Sequence, residues 1–232
     1  MKCYFQGCSE EGTTKEHIPP RSFFPEGEKL QLLTVRSCKK HNNAKSTNDI
    51  YVLAQICMNA SPSNRAREVF VSKVAPQLSY NNHALRKLLA KDAVQLASGV
   101  VGYRVDSSRF DDFFTALSCG MIFKTCGSSL PVNYSLSHIY HNFESDSDVQ
   151  LRNLEDAIGE FYSGKPMDFM EFGDPEAKNE KIYTVTIFGI PGFKSSITLV
   201  HNFFGVFKVT SMLTNLIRVD TETVSVSEPP LG

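Results

Sequence analysis

Apolar residues recur at helical spacing through the middle of the chain, and this spacing predicts a series of α-helices. Residues 46–49 (STND) offer N-cap side chains ahead of the first apolar run. Pro76 is expected to stop the second helix, because proline cannot continue one. The helices are predicted over residues 46–60, 65–74, 81–98, 107–124 and 148–162, and the fourth of these is the most apolar.

The pattern changes to strands near the C-terminal end. Residues 182–190 and 196–213 are rich in β-branched and aromatic side chains and are separated by Pro191-Gly192, so each is predicted to be a strand. Residues 132–143 alternate more weakly and are a further strand candidate, whereas residues 1–46 hold turn formers and short β-prone pieces. The predicted fold class is α+β, with a small N-terminal module followed by helices and a C-terminal antiparallel sheet.

Composition narrows the class of protein. The 232 residues are 41% hydrophobic and 21% charged, which is typical of a globular protein. No apolar run approaches the roughly 18–20 residues that span a bilayer, and no signal-peptide pattern begins the chain, so we expect a cytoplasmic protein with no membrane partner.

Charge is unevenly distributed along the chain. Residues 1–124 hold 17 Lys/Arg against 11 Asp/Glu, whereas residues 144–180 hold 3 against 11. The basic first half could attract a phosphate backbone, and the acidic stretch would then lie away from the binding face or block it. The alternative interpretation is an ordinary solvated surface.

Two pairs of metal-type ligands enclose the N-terminal module. Cys3-x4-Cys8 and Cys38-x2-His41 have the spacing of structural zinc ligands, which arrive as two close pairs on separate turns. A module this small buries too little apolar surface to fold alone, so a bound zinc ion would complete it. The three other cysteines, Cys57, Cys119 and Cys126, are predicted to be buried thiols.

Candidate catalytic groups lie between these pairs. His17 can act as a general base, because the pKa of a histidine lies near neutrality. Glu16 and Asn42 offer oxygen atoms suited to Mg²⁺ or Mn²⁺. An activated water, a metal ion and oxygen ligands are what phosphodiester hydrolysis requires.

The segment resembles the HNH endonucleases. The run EHIPPRSF at Glu16–Phe23 is similar to the opening of their motif, and Arg36-Ser37 followed by Asn42-x-x-Lys45-Ser46 is similar to its closing helix. The resemblance covers about residues 1–50 and implies a ββα-metal fold on a treble-clef zinc module. It also implies that His17 activates water, that Glu16 and Asn42 hold one divalent ion, and that Arg21 and Lys45 contact phosphate.

The chain departs from the family pattern at three points. Glu16 replaces the usual Asp, and the second zinc pair is Cys-x2-His where many relatives have Cys-x2-Cys. The middle residue of the motif has no clear counterpart, and Gln31 or Thr34 are the candidates for its task of orienting the base.

These features predict a metal-dependent endonuclease that cleaves DNA, with structural Zn²⁺ and catalytic Mg²⁺ or Mn²⁺. The resemblance also implies a role in bacterial antiphage defence. Two alternatives stay open: a non-catalytic, zinc-dependent DNA-binding module, and an RNA-cleaving toxin. Residues 1–60 would form the nuclease module, and residues 61–232 a second domain for targeting, sensing, homo-oligomer formation or binding of a partner protein.

Overall fold

The chain folds as a mixed α+β protein that ends in an antiparallel sheet, as expected from the sequence. The computed structural model describes residues 1–25, 33–43, 46–60, 63–95, 99, 101–143, 153, 156–157, 160, 163, 169–172, 182–189, 192–194 and 196–216. Most of the predicted helix over 148–162 and most of the acidic stretch lie outside these residues.

The N-terminal module is a loop, a β-hairpin and a short helix. Strand β1 (Thr14–Ile18) pairs antiparallel with β2 (Leu33–Ser37), and helix α1 (Lys39–Asn43) begins directly after Cys38. Alternate side chains of β1 point to opposite faces, so its burial alternates as well. This alternation gives the hairpin a buried inner face and a solvent-exposed outer face.

Helix α2 (Ser46–Asn59) begins where the capping residues predict. Two predictions for the region that follows are wrong. Pro76 does not stop a helix: α3 (Asn64–Val69) and a π-helical turn (Phe70–Val74) lead into α4 (Ala75–Ser79), where the proline sits in the first turn and needs no N–H partner.

The single helix predicted over 81–98 is also wrong. Three successive residues with positive φ, Asn81 to His83, precede a short α5 (Ala84–Leu89). Strands β3 (Val94–Gln95) and β4 (Val101–Gly102) then form a small exposed hairpin. Leucines at helical spacing therefore continue past the point where the helix ends.

Helix α6 (Ser107–Cys126) is the central element, as its apolar sequence predicts, and it ends where Gly127 takes a left-handed conformation. It contacts α2, the N-terminal hairpin and the C-terminal sheet. An added Cβ at Gly120 would lie 2.9 Å from Ile18 Cγ2, so the missing side chain permits β1 to pack closely on this helix.

The C-terminal sheet has the order β5-β9-β8-β7-β6 and is antiparallel throughout. The strand predicted over 196–213 is a hairpin of two strands rather than one, because residues 204–206 form a turn in which Phe204 and Gly205 have positive φ. The strands are β5 (Tyr134–Tyr140), β6 (Phe169–Phe172), β7 (Tyr183–Phe188), β8 (Ile197–Phe203) and β9 (Phe207–Asn215).

One hydrophobic cluster runs through the described residues. It joins the N-terminal module, represented by Tyr4 and Ile18, to Phe114 of α6 and to Phe203 and Phe207 of the sheet. The N-terminal module therefore packs on the rest of the protein. Within the part of the chain that the structure describes, no helix has the length and apolarity needed to cross a membrane.

Candidate metal centre and catalytic pocket

Four side chains converge at the start of the chain. The ligand atoms of Cys3, Cys8, Cys38 and His41 all lie within 4.8 Å of one another. The Cys3 and Cys38 sulfurs are 3.5 and 3.3 Å from His41 Nδ1, and the Cys8 and Cys38 sulfurs are 4.0 Å apart. Tetrahedral zinc places its sulfur and nitrogen ligands roughly 3.5–3.8 Å apart, so the three sulfurs and one nitrogen fit this ion.

Backbone hydrogen bonds hold the two ligand pairs together. Tyr4 N–H donates to the Arg36 carbonyl at 2.9 Å, which ties the first loop to β2. The Cys38 N–H donates to the Cys3 sulfur at 3.4 Å, and the Phe5 ring stacks on His41 with centroids 4.3 Å apart. Both pairs are thus positioned by the hairpin and its flanks.

The surroundings of Cys38 favour its thiolate form. Burial raises the pKa of Cys38. Hydrogen bonds from the backbone N–H groups of Lys40 and His41 and from the neighbouring thiols lower it by a larger amount, so the net shift is downward. The pKa of Cys8 is raised, mainly by desolvation. A thiolate at Cys38 is the form that coordinates a metal ion.

Glu16 and His17 lie on opposite faces of β1. Glu16 is only 9% exposed and accepts a hydrogen bond from the Tyr4 hydroxyl at 3.2 Å. His17 is half-buried on the outer face, and its cross-strand partner on β2 is Thr34. Thr34 was one of the two candidates for the middle residue of the motif, and the other, Gln31, lies outside the described residues.

A pocket opens beside these two residues. It measures about 220 Å³ including its open mouth. Asp49, in the first turn of α2, lines it together with Glu16 and His17, while α6 forms an apolar wall of Phe113, Ala116 and Leu117. The sequence places Asp49 among capping residues, and its position in the pocket emerges only when α2 packs beside the hairpin.

The remaining predicted site residues are less closely gathered. Asn42 is half-buried in α1, where its N–H donates to the Cys38 carbonyl at 3.0 Å, and it is not among the residues that line the pocket. Arg21 is exposed in a 3₁₀ turn (Arg21–Phe23) that follows β1. Lys45 lies outside the described residues.

The other cysteines take no part in the cluster. Cys57 and Cys119 are buried as predicted, and Cys126 is half-buried. Burial raises the pKa of Cys57 to about 12, so it stays a neutral thiol. Among the described residues, no second group of three or more His, Cys, Asp or Glu side chains converges in this way.

A buried chain of hydrogen bonds beneath α6 was not anticipated. The Tyr183 hydroxyl is 2.9 Å from His201 Nδ1, and the Ser211 hydroxyl lies 3.1 Å from His201 Nε2 and 2.8 Å from His138 Nδ1. Thr115 of α6 is 3.0 Å from His138 Nε2. The four sheet residues come from four different strands, so sequence spacing could not reveal the chain.

Burial explains the protonation state of these groups. Desolvation lowers the pKa of His138 to about 4 and that of His201 to about 3, and it raises the pKa of Tyr183 well above its ordinary value. Both imidazoles are therefore neutral near pH 7. The hydrogen bonds can then all run in one direction: Tyr183 donates to His201, His201 to Ser211, Ser211 to His138 and His138 to Thr115. Each imidazole thereby donates one hydrogen bond and accepts one.

Comparisons with known proteins supply no relative: no protein-family profile, no curated protein and no solved structure matches the chain.

Proposed function

We propose that the protein is a metal-dependent HNH-type endonuclease that hydrolyses phosphodiester bonds in DNA. The observation that carries the proposal is the convergence of Cys3, Cys8, Cys38 and His41, because it brings both ends of the HNH-like segment together. The order of loop, hairpin and ligand-bearing helix is also the order of a treble-clef zinc module. A zinc ion at these four ligands would have a structural role.

His17 is the proposed general base. It is partly exposed at the mouth of the pocket, where a water molecule can reach it, and Thr34 lies opposite it on β2. A neutral imidazole in this place can take a proton from a water molecule that attacks phosphorus. Arg21 is exposed after β1 and can contact a substrate phosphate, and Lys45 is proposed for the same task.

The proposed catalytic ion is Mg²⁺ or Mn²⁺, held by oxygen atoms of the protein. It would stabilise the negative charge that develops on the phosphate. Glu16 and Asn42 are the ligands implied by the family resemblance. Glu16 borders the pocket through β1, and its carboxylate already accepts from Tyr4, so binding an ion there requires it to share or leave that hydrogen bond. A role in bacterial antiphage defence is part of the proposal and has its support in the resemblance alone.

One observation favours a second candidate, a zinc-dependent DNA-binding module without catalysis. The Glu16 carboxylate is 9% exposed and bonded to Tyr4, and a glutamate held in this way can serve packing instead of ion binding. The exposed outer face of the hairpin, with Lys15 opposite Arg36, would still attract a phosphate backbone.

The first prediction separates these candidates. Purified protein with Mg²⁺ or Mn²⁺ should cleave plasmid DNA, and His17→Ala should lower the rate about 10²–10⁴-fold, the usual contribution of a general base. Agarose gels and a fluorescent oligonucleotide give the rate. His83→Ala, which changes an exposed histidine that is bonded to the Leu78 carbonyl of α4 and does not line the pocket, is the matched control and should retain full activity.

Zinc content and circular dichroism should be unchanged in His17→Ala. Cleavage at the parental rate in that variant would reject His17 as the base. Salt-dependent DNA binding without cleavage under any divalent ion would support the binding module instead. An RNA substrate of the same sequence, cleaved in preference to DNA, would support an RNA-cleaving toxin.

A further inference from the structure

A polar groove lies at the N-terminal end of α6, outside the N-terminal module. It measures about 850 Å³ including its open mouth. It is bordered by the end of α5, by the segment that enters α6 and by α2, and most of its lining residues come after residue 60. The residues that matter for its chemistry are Tyr51, Lys91, Asp92, Arg104, Asp106 and Arg109.

The groove lies on the same face of α6 as the His17 pocket. Arg109 in the groove and Phe113 and Ala116 in the pocket are spaced i, i+4 and i+7, so they occupy one face of the helix. The first turn of α2 joins the two sites: Asn48 bonds the Arg109 guanidinium, and Asp49 lines the pocket. Both openings thus lie along the same side of α6.

Cationic side chains in the groove are of two kinds. Arg109 is fixed by Asp106 at 3.0 Å and lies over the Tyr51 ring at 5.5 Å, so much of its charge is already compensated. Lys91 and Arg104 are exposed and form no ion pair with any residue that the structure describes. These two are available to an external anion.

Acidic groups limit what the groove can accept. Hydrogen bonds from Ser108 and Arg109 engage the Asp106 carboxylate and lower its pKa, so it stays ionised and bound to them. Asp92 is exposed beside Lys91 and lines the same groove. A compact, highly charged ligand would meet this carboxylate, whereas an extended chain with spaced charges can pass it.

The spacing along α6 suits a nucleic acid strand. Ser107 and Phe113 are six positions apart on α6, which corresponds to about 9 Å along the helix axis. One strand of B-DNA presents a phosphate about every 3.4 Å of axis. One strand of a bound duplex can therefore present several phosphates over the length of α6 between the pocket and the groove.

We infer that this groove is a second DNA-binding site, in which Lys91 and Arg104 hold the substrate backbone at phosphates near the bond that is cut. The inference rests on the proposed function and gives the region after residue 60 a part in substrate binding. Arg109, held by Asp106 and Asn48, forms the rim that the strand crosses between the two sites.

The test measures DNA binding in the His17→Ala background, where substrate is not consumed. A fluorescein-labelled 30-base-pair duplex is titrated at several salt concentrations with the parent and with Lys91→Ala/Arg104→Ala. The double variant should bind about tenfold more weakly near 0.1 M salt, and its slope of log K against log salt should be smaller by about 2, since each phosphate contact contributes roughly 0.9. Arg86→Ala/Lys87→Ala removes two exposed charges of α5 outside the groove and should change neither quantity.

Equal binding by the parent and the Lys91/Arg104 variant would overturn the inference, as would an equal loss in the Arg86/Lys87 control. A loss seen only with RNA would overturn the assignment to DNA. Cleavage that depends on His17 but not on Lys91 and Arg104 leaves the proposed function standing without this groove. DNA binding that depends on Lys91 and Arg104 without any cleavage supports the groove and contradicts the nuclease.

Discussion

At the scale of single residues, the four candidate metal ligands differ from the remaining cysteines in that their ligand atoms converge. Cys38 and Cys57 are both buried, but only Cys38 lies against other ligand atoms. A structural zinc site of this kind contributes about 10–16 kcal/mol to folding. This is at least as large as the roughly 5–15 kcal/mol that stabilises a typical domain.

Removal of one ligand should therefore unfold the N-terminal module. We expect one zinc ion per chain in the purified protein and loss of that ion, with a lower melting temperature, in Cys38→Ala. Cys57→Ala is the matched control, because it removes a buried thiol from α2 and should keep the full zinc content. Elemental analysis and thermal denaturation provide the measurements, and a zinc-free parent protein would contradict the assignment.

At the scale of elements, the hairpin depends on α6 for its inner wall. The closest approach is between Ile18 of β1 and Gly120 of α6, where an added Cβ would lie 2.9 Å from Ile18 Cγ2. Ile18 is buried, so it has no space into which to withdraw. Helix formation alone would not require a glycine at this point of α6.

Gly120→Val should destabilise the protein by about 1–2 kcal/mol. Overpacking typically costs about 1–3 kcal/mol, and the gain in helix propensity over glycine is only about half a kcal/mol. Urea denaturation gives the free energy of unfolding. Asp112→Val on the exposed side of the same helix should change it by about 0.5 kcal/mol at most, and a Gly120 variant as stable as this control would show that β1 is not held against α6.

Some of the helices, strands and site residues could be predicted from the sequence alone, and others could not. Helices α2 and α6 follow from apolar spacing, and the metal ligands follow from their own close spacing within each pair. The turns at Asn81–His83 and after Phe203 were missed because the predicted helix and strand run through them, whereas the backbone there passes through residues with positive φ. Asp49 was missed as a pocket residue because its position depends on how α2 packs, which no local pattern encodes.

At the scale of the whole molecule, a buried polar chain joins the sheet to α6. His138 and His201 have pKa values of about 4 and about 3, both below the ordinary value near 6.5. Burial is the first cause in each case; the charge of Asp111 opposes it at His138, and His138 adds to it at His201. The folded protein therefore resists protonation that the unfolded chain accepts.

The stability of the protein should accordingly fall as the pH decreases below about 6.5. Each of the two histidines contributes a slope of about 1.4 kcal/mol per pH unit, which continues to about pH 4 for His138 and about pH 3 for His201. Above pH 7 neither contributes. Urea denaturation between pH 4.5 and 7.5 gives the free energy of unfolding at each pH. Its slope against pH should be shallower for His201→Gln than for the parent and unchanged for the exposed His83→Gln. Equal slopes in the two variants would contradict the burial of a neutral His201.

The wall that α6 gives to the His17 pocket affects the order in which the protein matures. Phe113, Ala116 and Leu117 are translated about a hundred residues after His17, so a nascent chain lacks one side of the pocket until α6 has been synthesised. Under the proposed function, a complete site would therefore be absent while the first sixty residues emerge from the ribosome. Truncated products that stop before α6 would lack it as well.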